Sequence, residues 1–322
     1  MRFLIPLLIL LVCGMAALSA VSVEDALKKD AEYQTAVRAL ETAKDDMTKV
    51  KADPGATPIA LAQAQEKLSE LQPRLAVAEI SARERIIDAW ETVLTTRLQL
   101  ELASARLEQA RKQLQAAQIK QTAGAISDQE LARAKETQAK AETTVKEMRN
   151  NVIVAELRVK PYGVITTEVP GEPPSLDPAK LTDEMNPDLI AAVNRAKAAQ
   201  RALALAQGPD TALLDRAVKE RELHDAQDAL RDTGLKIDQQ FESAKRAYLI
   251  ALEKHKLAAN TVTLALDELG TAKKRFDAGA ISTIALGDAE VTALDARGQQ
   301  ESARADLWQA YYALLQIAGG LR

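Results

Sequence analysis

Ala123-Gly124-Ala125-Ile126-Ser127 returns letter for letter as Ala278-Gly279-Ala280-Ile281-Ser282. The two copies lie 155 positions apart, and the same offset carried outward keeps matching residues. Upstream, Ala89 meets Ala244, Leu94 meets Leu249, Leu102 meets Leu257, Ala110 meets Ala265 and Leu114 meets Leu269. Downstream, Leu131 meets Leu286, Ala134 meets Ala289 and Ala141 meets Ala296. A very long helical pattern precedes each copy and a shorter one follows it. The chain therefore reads as an internal duplication of one long helical hairpin.

The repeated stretch has the chemistry of a tight helix-to-helix turn. Gly124 and Gly279 can adopt the left-handed conformation that ends a helix without a Cβ penalty. Ser127 and Ser282 are good N-caps for the helix that follows. Ile126 and Ile281 precede those caps and Leu131 and Leu286 follow at N4, the spacing of a hydrophobic staple. In the first copy Glu130 completes a capping box with Ser127.

Composition narrows the class. Of the 322 residues, 47% are hydrophobic but only 3% aromatic, with abundant Ala, Leu, Gln and Glu. That favours thin helix-on-helix seams over a thick core. The net charge is −4 and no basic stripe with interleaved aromatics appears, so nothing points to nucleic acid. At the start, Arg2 followed by the apolar run Phe3 to Val12 and by Ala17-Leu18-Ser19-Ala20 predicts a secretory signal peptide over residues 1–20. Cys13 is the single cysteine. A lipidated cysteine normally follows a small residue, and Val12 precedes this one. Beyond residue 20 no apolar run reaches spanning length.

In chain order, Val23 to Lys51 predicts a first helix, with Ala26, Tyr33, Val37, Leu40 and Val50 near one face. Asp53-Pro54-Gly55 stops it. Thr57 then caps a second helix with Pro58 at N1, running to Thr122, with a kink or break expected at Pro73. At 1.5 Å per residue that span is roughly 95–100 Å, so its apolar face (Ile86, Trp90, Val93, Leu94, Leu98, Leu100, Leu107, Leu114) needs neighbouring helices along its length. A third helix covers Asp128 to Lys160, where Ala132, Ala134, Ala139 and Ala141 permit close approach. Pro161-Tyr162-Gly163 ends it, a short β-like run follows at Val164 to Val169, and Pro170 to Pro178 is too proline-rich for regular structure. The second repeat opens at Pro187 with a helix from Asp188 to Gln207. Gly208-Pro209-Asp210 turns the chain into a long helix reaching Asp277, with a local break expected at Thr233-Gly234. Thr283 to Ile317 closes the repeat, with Trp308, Tyr311, Tyr312 and Leu315 as its apolar end. The chain thus divides into a signal peptide (1–20), a first repeat (21–160), a linker (161–186) and a second repeat (187–322).

No catalytic constellation is legible. His224 and His255 stand apart on helices without a metal-ligand set and read as partly solvated histidines. There is no Gly-rich phosphate loop and no nucleophile elbow. The runs Lys273-Lys274-Arg275 and Lys219-Glu220-Arg221-Glu222 read as solvated helix faces. An enzyme is not supported, and no cofactor or metal is called for.

The order helix, turn, long helix, Ala-Gly-Ala-Ile-Ser, helix, given twice in an exported chain, resembles the outer-membrane efflux proteins, the TolC-like exit ducts. Arg275-Phe276-Asp277-Ala278-Gly279 with Leu286, Asp288 and Ala289 is similar to that family's arginine-aromatic-x-x-Gly turn and following Asp-Ala pair. Asp188-Leu189-Ile190-Ala191-Ala192 and Tyr311-Tyr312-Ala313-Leu314-Leu315 resemble the start and close of a family repeat. The resemblance covers nearly the whole mature chain. It implies an all-α fold of two tandem long hairpin repeats assembling as a homotrimeric coiled-coil α-barrel across the periplasm. It also implies a role in efflux or type I secretion, with a periplasmic adaptor and an inner-membrane pump as partners; the departure described below leaves only an indirect association with the membrane. Carried onto this sequence, Gly124, Ile126, Ser127, Gly279, Ile281 and Ser282 become adaptor-contact residues. Asp288 becomes a gate residue; Ala285 stands where a second gate aspartate is common. The sequence departs from the family at the opposite ends of the hairpins. A membrane strand takes about 9–11 residues, and the connections at Asp53-Pro54-Gly55 and Gly208-Pro209-Asp210 are too short for one. The expectation is therefore the family's α-barrel without its membrane β-barrel, located in the periplasm or at the outer membrane. The alternative is a non-conducting coiled-coil spacer of the envelope.

Overall fold

The computed structural model describes residues 23–163, 171–208 and 212–320. The expected signal peptide with Cys13, and the β-like run Val164 to Val169, lie outside the described residues. Seven α-helices follow in order: α1 (Val23–Leu27), α2 (Ala31–Ala52), α3 (Pro58–Thr122), α4 (Asp128–Val159), α5 (Pro187–Leu205), α6 (Leu213–Asp277) and α7 (Thr283–Ala318). Short 3₁₀ turns occupy Lys160–Tyr162 and Pro178–Lys180, and the described residues contain no β-strand.

The helices form a wall rather than a bundle around a centre. Toward the Ala-Gly-Ala-Ile-Ser turns the row is α4, α3, α7, α6; toward the other end α2, α3, α5, α6 continue it. The two 65-residue helices α3 and α6 run its whole length, roughly 97 Å each at 1.5 Å per residue. Neighbours are antiparallel. Arg97 reaches Glu156 and Arg111 reaches Glu142 between α3 and α4, while Arg106 reaches Asp295 between α3 and α7. Because α7 is antiparallel to both α3 and α6, the two repeated turns project from the same end.

Spacing explains the wall. On α4 the covered positions are Leu131, Ala134, Gln138, Ala141, Val145, Met148, Val152, Ala155 and Val159, in alternating steps of three and four. Such a stripe is a coiled-coil seam, narrow enough for one partner, here α3. Ala134 and Ala141 lie on it as expected, but Ala132 and Ala139 face solvent and bring nothing close. On α6 the same stepping runs from Gly234 through Ile237, Phe241, Ala244, Tyr248, Ala251 and His255 to Phe276. The break expected at Thr233-Gly234 is absent: Gly234 sits on the seam, where α5 and then α7 hold the helix on a continuous track.

Two further boundaries differ from expectation. The first helix is interrupted, because Asp30 caps a new one. Its carboxylate accepts from Tyr33 N at 2.9 Å and from Arg85 Nη2 of α3 at 2.8 Å, a combination that an unbroken helix could not offer. Conversely α3 runs unbroken through Pro73. The turns just before it are pinned from α5, where Arg201 grips Glu66 in a bidentate pair and Asn194 donates to Glu66 O, Ser69 and Glu70. Tertiary contacts thus override the local cost of a helix-interior proline.

Apolar mass concentrates at the waist, where α4 takes over from α2 and α7 from α5. Tyr162 packs against both α1 and the end of α4. Trp308 stacks on Tyr312 with ring centroids 5.4 Å apart, and Tyr311 stands edge-on to Tyr312 at 5.3 Å. Leu307 and Leu314 are fully buried beside them. The linker drapes over this core: Trp308 Nε1 donates to Gly171 O at 3.0 Å, and Asn186 Nδ2 to Ile317 O at 2.9 Å. Toward the tips the seam becomes Ala103 and Ala110 on α3, Ala265 on α6, and Ala293 and Ala296 on α7. The leucines expected there (Leu94, Leu98, Leu107 and Leu114) are only half-buried. Small residues let the helices approach closely.

Candidate functional site at the hairpin tips

Both copies of the repeated turn close a hairpin with the same backbone. In the first, Gly124 N donates to Gln121 O at 2.9 Å and Ala125 N to Lys120 O at 2.8 Å. In the second, Gly279 N donates to Phe276 O and Ala280 N to Arg275 O, both at 2.8 Å. This pair of bonds is the Schellman motif, which satisfies carbonyls left free at a helix end. It needs a left-handed residue, and Gly124 and Gly279 both have φ +70°.

The serines then start the next helix. Glu130 N donates to Ser127 Oγ at 3.3 Å, and Ala285 N to Ser282 Oγ at 3.2 Å. In the first tip Glu130 reaches back to accept from Ser127 N at 2.8 Å, completing the capping box. That backbone bond, with the Ser127 hydroxyl, holds the Glu130 carboxyl below the usual carboxylate range. Position 285 is alanine, so the second tip lacks this reciprocal bond. Ile126 and Ile281 are half-buried, while Gly124, Ser127, Gly279 and Ser282 are exposed. The six tip residues therefore lie on two congruent turns at one end of the wall, with all but the two isoleucines exposed.

Asp288 is exposed on α7, six residues past the Ser282 cap, and accepts a hydrogen bond from Gln109 Nε2 of α3. It belongs to the joint between the two hairpins of one chain. The position three residues earlier, Ala285, contributes only its backbone N–H to the cap.

Two polar contacts at the waist were not foreseen from sequence. Glu91 of α3, 2% exposed, pairs with Arg304 of α7 at 3.0 Å, and Glu301 joins the same guanidinium. Burial pushes the Glu91 carboxyl up, although Arg304 opposes the shift. His255, expected to be partly solvated, is 4% exposed on the α6 seam and lies 3.0 Å from Glu172 of the linker. A fold-back of the linker onto α6 has no signature in either segment alone. His224 is exposed and pairs with Asp228. Among the described residues no three His, Cys, Asp or Glu side chains converge as a metal group, and no helix is long and apolar enough to cross a membrane.

No protein-family model and no curated protein sequence matches the chain. Solved structures do. The outer membrane protein VceC from Vibrio cholerae aligns with TM-score 0.64 and 15% identity, over 92% of this chain and 95% of that one. The Campylobacter jejuni CmeC outer membrane channel gives TM-score 0.64 at 10% identity, over 92% and 84%. The open-state MtrE outer membrane channel of Neisseria gonorrhoeae gives 0.60 at 14% identity, over 92% and 88%. The chain has the TolC-like helical fold. The agreement extends along both repeats, so the TolC-like wall of two long hairpins is the architecture of nearly the whole chain. The connections that reverse it away from the tips are residues 53–57 and 206–212, each shorter than a membrane strand.

Proposed function

We propose that this protein is a TolC-like duct component of the cell envelope. Exported to the periplasm or the outer-membrane periphery, it forms a homotrimeric α-helical tunnel within an efflux or type I secretion assembly. The tunnel acts without chemistry, by enclosing a hydrated path. Its Gly124, Ile126, Ser127, Gly279, Ile281 and Ser282 turns dock a periplasmic adaptor that connects it to an inner-membrane pump. Asp288 sits near the tip end of that path, where it acts at the gate.

The observation that carries this reading is the second apolar stripe of α6. Ile250, Leu257 and Leu264 repeat at heptad spacing one position before the buried seam, and they are 54%, 65% and 65% exposed. At about 100° per residue they form a second seam with no partner in the single chain. At the other edge of the wall α4 exposes Ile153, Val154 and Leu157. A wall with an apolar stripe on one edge helix and apolar residues on the other closes when copies join edge to edge, and cyclic symmetry is how such heterologous contacts terminate. Two of the structures with this fold are outer membrane channels, which supports the envelope setting.

Light scattering on the purified protein tests the assembly. A trimer is expected, and a stable monomer or dimer would sink the duct. In a planar bilayer the protein alone is expected to give no stable channel, since its hairpins turn back without membrane strands.

A further inference from the structure

The two tips share one backbone but not one charge. Position by position, Gln118, Ile119 and Lys120 of the first correspond to Lys273, Lys274 and Arg275 of the second. Asp128 and Glu130 correspond to Thr283 and Ala285. From 118 to 130 the first tip carries Lys120, Asp128 and Glu130, a formal −1; from 273 to 285 the second carries Lys273, Lys274, Arg275 and Asp277, a formal +2.

A basic residue in a last helical turn complements the negative end of the helix dipole. Lys120 alone does this for α3. The second tip goes well beyond that need. Lys273, Lys274 and Arg275 are consecutive, so at about 100° per residue they fan around much of the helix circumference. All three are exposed, and none makes an ion pair or side-chain hydrogen bond. Elsewhere on α6, Lys219 and Lys245 are each paired with a glutamate three residues away, while Arg221, Lys236, Arg246, Lys254 and Lys256 are unpaired like the tip residues; what sets the tip apart is three unpaired basic residues in a row. The charge at the tip is therefore free for an external partner, next to a rigid turn that can position it.

Resting on the docking role of the tips, we propose that the second tip is the binding site for an acidic protein segment, selected by Lys273, Lys274 and Arg275, and that the first tip does not accept it. A flat anionic lipid surface fits less well. It would meet both tips at once and be repelled by Asp128 and Glu130 of the first. A protein partner can present opposite charges to adjacent tips, and complementary charge of this kind sets register and selects partners.

The test uses the purified protein and two synthetic helical-hairpin peptides identical except for glutamates or glutamines flanking the turn, read by fluorescence anisotropy. The glutamate hairpin should bind about tenfold more tightly at low salt and lose that advantage as salt rises. Lys273→Gln with Lys274→Ile, which installs the first tip's residues at exposed positions, should erase the preference; Lys120→Gln should leave it. Equal binding of both hairpins would overturn the charge proposal while leaving tip docking intact. Failure of both hairpins to bind would remove the docking role itself, and this proposal with it. Sedimentation with phosphatidylglycerol vesicles that depends on Lys273 and Lys274 would instead make the patch a lipid site and overturn the proposal.

Discussion

Glu91 of α3 and Arg304 of α7 form a 3.0 Å ion pair inside the wall, joining the two repeats across 213 positions of sequence. The carboxylate is 2% exposed and its Oε1 has no hydrogen-bond partner. Buried pairs of this kind fix registration at a desolvation cost. Glu91→Ala strands Arg304 with Glu301 alone and should lower stability by about 3 kcal/mol. Replacing both partners, Glu91→Met with Arg304→Met, should cost much less. The pH dependence separates the two causes. Burial raises the folded carboxyl above its unfolded value, so the native state holds that proton more tightly. The wild type should lose stability as pH rises from the usual carboxylate range through the raised value, and the double variant should lose less. Urea unfolding at several pH values measures both.

Gly319 ends α7 with φ +77°, and a Cβ there would lie 2.1 Å from Met185 O. That backbone is where the linker enters α5, so the neighbour cannot simply rotate away. Gly319→Ala should cost about 3 kcal/mol, from strain and overlap together. Gly124→Ala meets nothing within 4 Å and should cost only the left-handed backbone penalty, about 1–2 kcal/mol. Thermal unfolding of the two variants side by side checks the ordering; equal losses would mean the linker contact is not made.

Asp30 caps α2 and is gripped by Arg85. Burial works against its charged form, but the Tyr33 N–H and Arg85 outweigh it and hold the carboxyl below its usual value. A lowered carboxylate stabilises the fold above its unfolded pKa and loses that contribution as pH falls through the folded one. Asp30→Ala should therefore cost about 1–2 kcal/mol at neutral pH, and the gap to the wild type should shrink in acid below about pH 4. A gap independent of pH would rule out the charge as its source.

Leu257→Lys with Leu264→Lys alters two side chains that are each 65% exposed in the single chain. Helicity by circular dichroism should be unchanged while the proposed trimer falls to monomer by light scattering. A trimer that survives would place the contact elsewhere than the α6 stripe.

The sequence alone determined the duplication, the ends of α3 and the congruent tips. Those are local properties: a Schellman turn requires glycine at φ +70°, and a serine cap accepts from an amide three residues on. Length, too, is written in the sequence, and it announced that α3 needs partners along its whole apolar face. Where neighbours compete with local preference, the sequence could not decide. Pro73 reads as a break until α5 pins the turns before it, and Val23 to Lys51 reads as one helix until Arg85 offers Asp30 a better place as a cap. The burial of His255 under the linker, the Glu91–Arg304 pair and the choice of Ala103, Ala110, Ala265, Ala293 and Ala296 as seam positions also came only from tertiary structure. Each depends on two segments far apart in the chain meeting at one height along the wall, and that height is set by the summed registry of four helices rather than by any one of them.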